Sequence, residues 1–415
     1  MKPNTTNIIL IAVISLILFS LGNRRVEVFM LDEAKNASCA REMMERNDWI
    51  VPTFNDELRT DKPPLHYFFM ILSYRIFGFN EFAARFFSAI FGMFTILLTY
   101  LFTRRLLTQK IALWSSFILM SSLHFVFEFH LAVPDPYLIF FINASLFSIF
   151  LYFESKQNIY LWAMYISLAL GFLTKGPVAV ILPALVILTF VLFKREFNMK
   201  TLRELKLLQG ISLFLIVAAP WYILVTIKTD MAWIEGFFLK HNLNRYSDTM
   251  EGHGGLFLLS LIFLMLGLLP FSVILLQSLV KAIRNRSRQI LLFLTCFILV
   301  FLVFFSLSAT QLPNYIMPVF PASAIIMAYF INHSAIEELK KYKAGLSLWL
   351  GFVLAIFIPV GIYLGVQFDA NLMKMNHLAY YLIPLPLGFA VAVYYYHQKS
   401  PVKGFTYLGA SFFIV

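Results

Sequence analysis

The sequence predicts an all-α polytopic membrane protein, and three observations carry that prediction. Of 415 residues, 60% are hydrophobic and 13% charged, where roughly 25% charged is usual for a soluble domain. Apolar runs recur along the whole chain at roughly the 20-residue length a helix needs to cross a bilayer. The short alternating strands of an outer-membrane barrel are absent. Length alone suggests several soluble domains, but composition overrides it, and residues 1–415 read as one transmembrane domain.

Twelve spans are expected, at about 8–22, 83–103, 111–127, 137–153, 159–173, 177–193, 208–227, 255–280, 289–307, 315–332, 345–366 and 378–396. A thirteenth run opens near Phe405 and is still apolar at Val415. It offers about 11 residues, too few to cross, so it reads as an incomplete segment or the chain as a piece. No soluble C-terminal domain is visible. The first run follows one lysine, with no small-residue cleavage site before Arg24, and reads as a retained span.

Orientation follows from lysine and arginine. Arg104, Arg105, Lys194, Arg195, Lys281, Arg284, Lys340 and Lys341 fall in one set of loops. The alternate loops after the first hold only Lys175, Lys228, Lys240, Arg245 and Lys374. The first set is therefore cytoplasmic, and the N-terminus with it. Much of the +11 net charge is accounted for by topology, so no nucleic-acid partner is needed. Of 22 acids, Glu154, Glu196, Glu204, Glu337 and Glu338 fall on the cytoplasmic side and the other 17 outside. Acids contribute little to topology; an active surface on the external face explains the bias. Cys39 and Cys296 lie at different depths, which argues against a disulfide framework or zinc knuckle.

The first external loop, 23–82, is crowded with charge and should hold juxtamembrane helices. In 32–46, Ala37, Ala40 and Met44 follow helical spacing, with Asp32 as N-cap. His66–Phe77 reads as a second amphipathic helix that Gly78 stops.

Several residues there and in later loops could carry chemistry. Asp32 and Glu33 fit a helix start, and equally a carboxylate that takes a proton or holds a cation. Lys62 is a snorkelling lysine or, fixed by Pro63 and Pro64, a cation held in place. Lys175, between two apolar runs, is a surface turn or a cation that needs a partner. Asp135, between two prolines, has a turn reading of equal weight. With Lys35, Arg59 and Arg245, these cations could bind a phosphate-bearing headgroup. His241 is a solvated loop residue, or a metal ligand beside Asp61. Tyr315 is an interfacial anchor or a phosphate contact.

The stretch LDEAKNASCAREMMERNDWIVPTFNDELRTDKPPLHYFF resembles the first external loop of the bacterial aminoarabinose-transferase-like and protein-mannosyltransferase-like enzymes. These are GT-C glycosyltransferases that use polyprenyl-phosphate sugars. The resemblance continues through FGFNEFAARFFSAIFG, AVPDPYLIFF, GFLTKGPVAVILP, PWYILV, FFLKHNLNRY and QLPNYIMPVFP, from about residue 30 to 330. It departs at Gln311, where lysine is frequent, and at Asn36, where an aromatic is frequent.

The resemblance implies a GT-C fold in the bacterial inner membrane with a periplasmic site. It implies transfer from a polyprenyl-phosphate sugar to lipid A or another envelope acceptor, with inversion. Asp32 matches the essential acid, the general base, and Asp135 a second acid. Lys62, Lys175 and Arg245 match cations around the donor phosphate, and Tyr315 a tyrosine of that site. Asp61 with His241 matches positions that could hold a divalent metal, the only cofactor expected. Glu33 is left as a supporting acid. The rivals are a flippase or transporter of lipid-linked saccharide, which calls for mid-span charges and inverted repeats, and a non-catalytic assembly partner.

Overall fold

A computed structural model describes residues 5–28, 30–238, 257–333, 336–368, 377 and 379–413. Among these, seven helices are long and apolar enough to cross a membrane, or eight if one bent pair counts as a span. The protein is a multi-pass, almost wholly helical membrane protein.

The twelve expected runs do not become twelve equal spans. Helix α1 (Thr5–Ser20) has 16 residues. The first loop carries α2 (Met30–Glu45), a hairpin of β1 (Thr53–Phe54) and β2 (Glu57–Leu58), and α3 (Leu65–Phe77). Helix α2 starts two residues before the expected cap, so Asp32 and Glu33 both lie inside its first turn. Gly78 ends α3 with φ of 76°, as expected of a residue free to enter the left-handed region. The hairpin was not foreseen. Thr53 pairs with Leu58 and Phe54 with Glu57. Asn55 and Asp56 take φ of 54° and 61°, the positive values a two-residue turn requires. Glu42 fixes that turn, accepting from Thr53 Oγ1 at 2.5 Å and from the Asn55 N–H at 2.7 Å.

Helix α4 (Glu81–Leu106) is capped by the Asn80 side chain, which accepts from the Ala83 N–H. The run at 111–127 is broken into α5 (Gln109–Met120) and α6 (Leu123–Glu128). At the break, the Ser121 and Ser122 hydroxyls donate to the carbonyls of Phe117 and Ile118, competing with the ladder. Helices α7 (Asp135–Ser155) and α8 (Asn158–Lys175) form an antiparallel pair at the centre. Then follow α9 (Val178–Phe193), α10 (Met199–Glu204), α11 (Leu207–Lys228) and α12 (Ala232–Glu235). The run at 255–280 is also broken: α13 (Leu259–Gly267) and the segment Phe271–Arg284 meet at 120°. Pro270 stands in the break, where it has no N–H to continue a helix. Helix α14 (Leu275–Arg284) completes that arm, and α15 (Gln289–Ser306) follows. The turn Pro313–Val319 leads into α16 (Phe320–His333). Beyond it lie α17 (Ile336–Lys341), α18 (Ala344–Gly365), α19 (Pro384–His397) and α20 (Pro401–Phe412).

Burial separates the inner spans from the outer. In α7, 78% of the apolar window is buried; in the span of α18, 17% is. Phe102 of α4 stacks on Phe147 of α7 with centroids 4.0 Å apart. The first loop docks onto the bundle through two indoles: Trp221 donates to the Ile50 carbonyl at 3.1 Å and Trp233 to the Arg59 carbonyl at 2.9 Å.

Candidate active site

A cavity of about 620 Å³ opens where the first loop meets the ends of α7, α8 and α9. Asp61, Lys62, Asp135, Lys175 and Tyr315 line its polar part. Each is held by a local device. Asp61 and Lys62 precede Pro63 and Pro64, whose rings fix the backbone into α3. Asp135 opens α7 directly after Pro134. Lys175 is the last residue of α8, and Gly176 ends that helix with φ of 75°. A Cβ on Gly176 would lie 2.5 Å from the Phe237 ring, so only glycine fits both the turn and the packing.

Lys175 Nζ stands 2.6 Å from Asp135 Oδ1. The two side chains are 13% and 6% exposed, buried enough that each offsets the other's desolvation. The same ammonium lies 5.2 Å from the Tyr315 ring centroid, within cation–π range. Below this polar end the wall is apolar: Leu138, Ile142, Ile181, Leu182, Phe301 and Phe304. One chamber thus joins a charged, polar end to an apolar body.

Glu33 lies apart from that chamber. It is 2% exposed and takes Arg85 bidentately, with Nη2 at 2.7 Å and Nε at 2.9 Å. It also accepts the Ala132 N–H at 2.6 Å. Arg85 further donates to the carbonyls of Val26 and Glu27. This clamp ties α2, α4, the chain after α1 and the loop before α7 into one unit. Arg85 was missed from sequence, although a lone arginine inside an apolar run calls for a partner.

Arg59 and Lys35 do not line the large cavity. They line a second one of about 170 Å³, with Phe54, Glu57, Leu58, Thr60 and Asp61. Arg59 Nη2 donates to Asn36 Oδ1 at 3.0 Å, and Nε stands 3.4 Å from Asp61 Oδ2. Asn36 is the hub: it also donates to the Ala132 carbonyl and meets the His66 ring at 3.4 Å. Burial, then the charges of Arg59 and Lys62, hold His66 well below its usual pKa and therefore neutral. Burial opposes the charge on Arg59, but Tyr67, Cys39, Asp61 and Asp32 outweigh it and raise the guanidinium pKa.

Asp32 is exposed on the first turn of α2 and close enough to Arg59 to act on its charge. It does not line the large cavity. Arg245 and His241 lie outside the described residues, as does the rest of 239–256. Asp61 is the metal candidate that is described. Among the described residues no three His, Cys, Asp or Glu side chains come together as a metal cluster. Glu128 was also missed. It is 3% exposed and faces His124 at 3.5 Å. Burial and the nearby Asp135 push its carboxyl above the usual range, against the pull of His124.

Comparison with known proteins bears on the family and the fold. Residues 61–224 match the family model described as dolichyl-phosphate-mannose-protein mannosyltransferase. An uncharacterized protein of Aquifex aeolicus is 31% identical over 369 residues, 89% of this chain and 71% of that one. An undecaprenyl phosphate-alpha-4-amino-4-deoxy-L-arabinose arabinosyl transferase of Proteus mirabilis is 28% identical over 349 residues. That match covers 83% of this chain but 61% of the transferase. Among solved structures, ArnT from Cupriavidus metallidurans bound to undecaprenyl phosphate superposes with a TM-score of 0.81 at 22% identity. It covers 99% of this chain and 77% of that one, a likeness of fold.

Proposed function

We propose, given that this chain belongs to the aminoarabinose-transferase-like and protein-mannosyltransferase-like family of GT-C membrane glycosyltransferases, that it moves a sugar from a polyprenyl phosphate to a lipid or other cell-envelope acceptor. One observation carries the choice of donor: the 620 Å³ chamber joins a charged end, where Lys62 and Lys175 stand beside Asp61 and Asp135, to an apolar body. A phosphate with a long isoprenoid tail has that same division. The names of the arabinosyl transferases it resembles support an undecaprenyl carrier.

The reaction breaks the bond between the sugar's anomeric carbon and the phosphate oxygen. The acceptor hydroxyl oxygen forms the new bond from the opposite face, which inverts the centre. Its proton passes to the Asp32 carboxylate, and the leaving group is polyprenyl phosphate. Lys62 and Lys175 stabilise the charge that grows on that phosphate in a partly desolvated site, with Arg245 expected to join them. Asp135 holds the Lys175 ammonium in position. Tyr315 braces it from the ring face. In the bilayer, the lysine and arginine distribution supports a cytoplasmic N-terminus and a site on the periplasmic face of the inner membrane.

The flippase reading is disfavoured by the position of the charges. Asp61, Lys62, Asp135 and Lys175 gather at loop and helix ends, not at mid-span. The test is transfer from an undecaprenyl-phosphate sugar by purified protein. Lys62→Ala should weaken undecaprenyl phosphate binding and transfer together. Asp32→Ala should abolish transfer while binding persists. Wild-type transfer in both variants would remove these roles.

A further inference from the structure

We infer that Asn143, inside α7 and outside the chamber, is a positioning residue: it sets how closely the Tyr315 ring meets the Lys175 ammonium. The inference rests on the sugar-transfer reading above. Asn143 is the one amide in the apolar run IFFINASLF and is 0% exposed. A buried amide in a membrane span needs its partners from the protein. Its Nδ2 donates to the Ile139 carbonyl at 2.8 Å, within its own helix. It donates also to the Pro318 carbonyl at 2.9 Å, 175 positions along the chain. Pro318 belongs to the turn Pro313–Val319, a 3₁₀ segment. Its carbonyl is open to a side chain because Pro321, three residues on, has no N–H to close a 3₁₀ bond onto it.

That turn carries Tyr315, whose ring lies 5.2 Å from Lys175 Nζ. Helix α7 therefore holds both halves of the contact. Asp135 at its start grips Lys175, and Asn143, about two turns on, grips the segment that presents Tyr315. Ile142 and Pro318 both line the chamber, so this hydrogen bond runs directly behind its wall. Stability alone does not call for the amide. Its Oδ1 has no partner among the described residues, and a buried acceptor left unmade carries a cost that a leucine would avoid. Asn332 of α16 offers a comparison. It too donates to a carbonyl four residues earlier, that of Ala328, and leaves its Oδ1 unmade. Among the described residues it makes no bond to another element. Only the asparagine behind the chamber reaches across.

The experiment uses the full chain in nanodiscs, labelled with fluorotyrosine, and follows the fluorine resonance that disappears in Tyr315→Phe. Asn143→Leu should shift that resonance, as Lys175→Met does, and leave the other tyrosine signals in place. It should also lower kcat for transfer from an undecaprenyl-phosphate sugar by about tenfold, with KM for that donor within about threefold. In a Tyr315→Leu background the same change should cost less than about twofold, because the two residues act as one unit. Asn143→Ser keeps a bond within its own helix but is too short to span to Pro318, and it replaces the leucine variant if that one fails to fold. Asn332→Leu should alter neither the Tyr315 signal nor kcat. An unmoved Tyr315 signal in Asn143→Leu overturns the inference. So does a loss that multiplies in full with Tyr315→Leu, or an equal response to Asn332→Leu. If wild type transfers no sugar while Asn143→Leu still moves the Tyr315 signal, the sugar-transfer reading falls and the hold of Asn143 on Tyr315 stands.

Discussion

Glu33 with Arg85 and Asp135 with Lys175 are two carboxylate–cation pairs in one protein, both nearly buried, and they do different things. Glu33 holds Arg85 through two hydrogen bonds and spends a third on the Ala132 N–H. Arg85 spends its other donors on backbone carbonyls. Neither residue lines either of the two cavities described above. The Asp135–Lys175 contact is single, at 2.6 Å, and both residues line the 620 Å³ chamber. A saturated ion pair fixes the fold, whereas one that borders open space can exchange a partner for a ligand.

The difference can be broken by mutation. Arg85→Ala leaves Glu33 buried without its cation, at a cost of about 3–5 kcal/mol. A large drop in Tm is expected, and replacing both residues with methionine and leucine should recover most of it. An unchanged Tm with lost transfer would mean that the closed pair is catalytic after all. Lys175→Met should slow transfer by about 10²-fold, with a smaller change in Tm than Arg85→Ala because the stranded Asp135 borders the chamber, where water can reach it. Equal damage to both quantities would merge the two pairs into one class. The smallest effect concerns Cys39, buried in the core that packs α2 on α3. Burial pushes its thiol up to about 12, so at pH 8 it stays protonated and unreactive. Maleimide labelling of the native protein should be slow at both pH 7 and pH 9, because Cys39 is fully buried. In Arg85→Ala it should accelerate, because the clamp beside that core has gone.

Much of this was legible in the chain. The stop at Gly78 and the spans that became α7 and α8 follow from local signals, namely glycine, proline and charge at the ends of apolar runs, whereas the grouping of Lys62, Asp135, Lys175 and Tyr315 came from the family resemblance, and Asp61 was expected beside His241. What failed to show depends on contacts between distant segments. Nothing near Ser121–Ser122 or Pro270 says that an apolar run will be broken and turned. The hairpin at Thr53–Leu58 is too short for a strand pattern to emerge. That Lys35 and Arg59 face a different chamber from Lys62 is a matter of side-chain direction on packed elements. Glu33 could be read as a supporting acid, but its role as a clamp needed Arg85, 52 positions away.

The Asp135–Lys175 contact also has a polarity. Asp135 is the first residue of α7 and Lys175 the last of α8, so each charge sits at the helix end whose dipole favours it. The two helices run in opposite directions, and the contact fastens their free ends like a latch. An exchanged pair, Asp135→Lys with Lys175→Asp, keeps the attraction but sets both charges against their dipoles. Restoring the bridge in reverse should therefore restore neither the latch nor the mouth of the chamber.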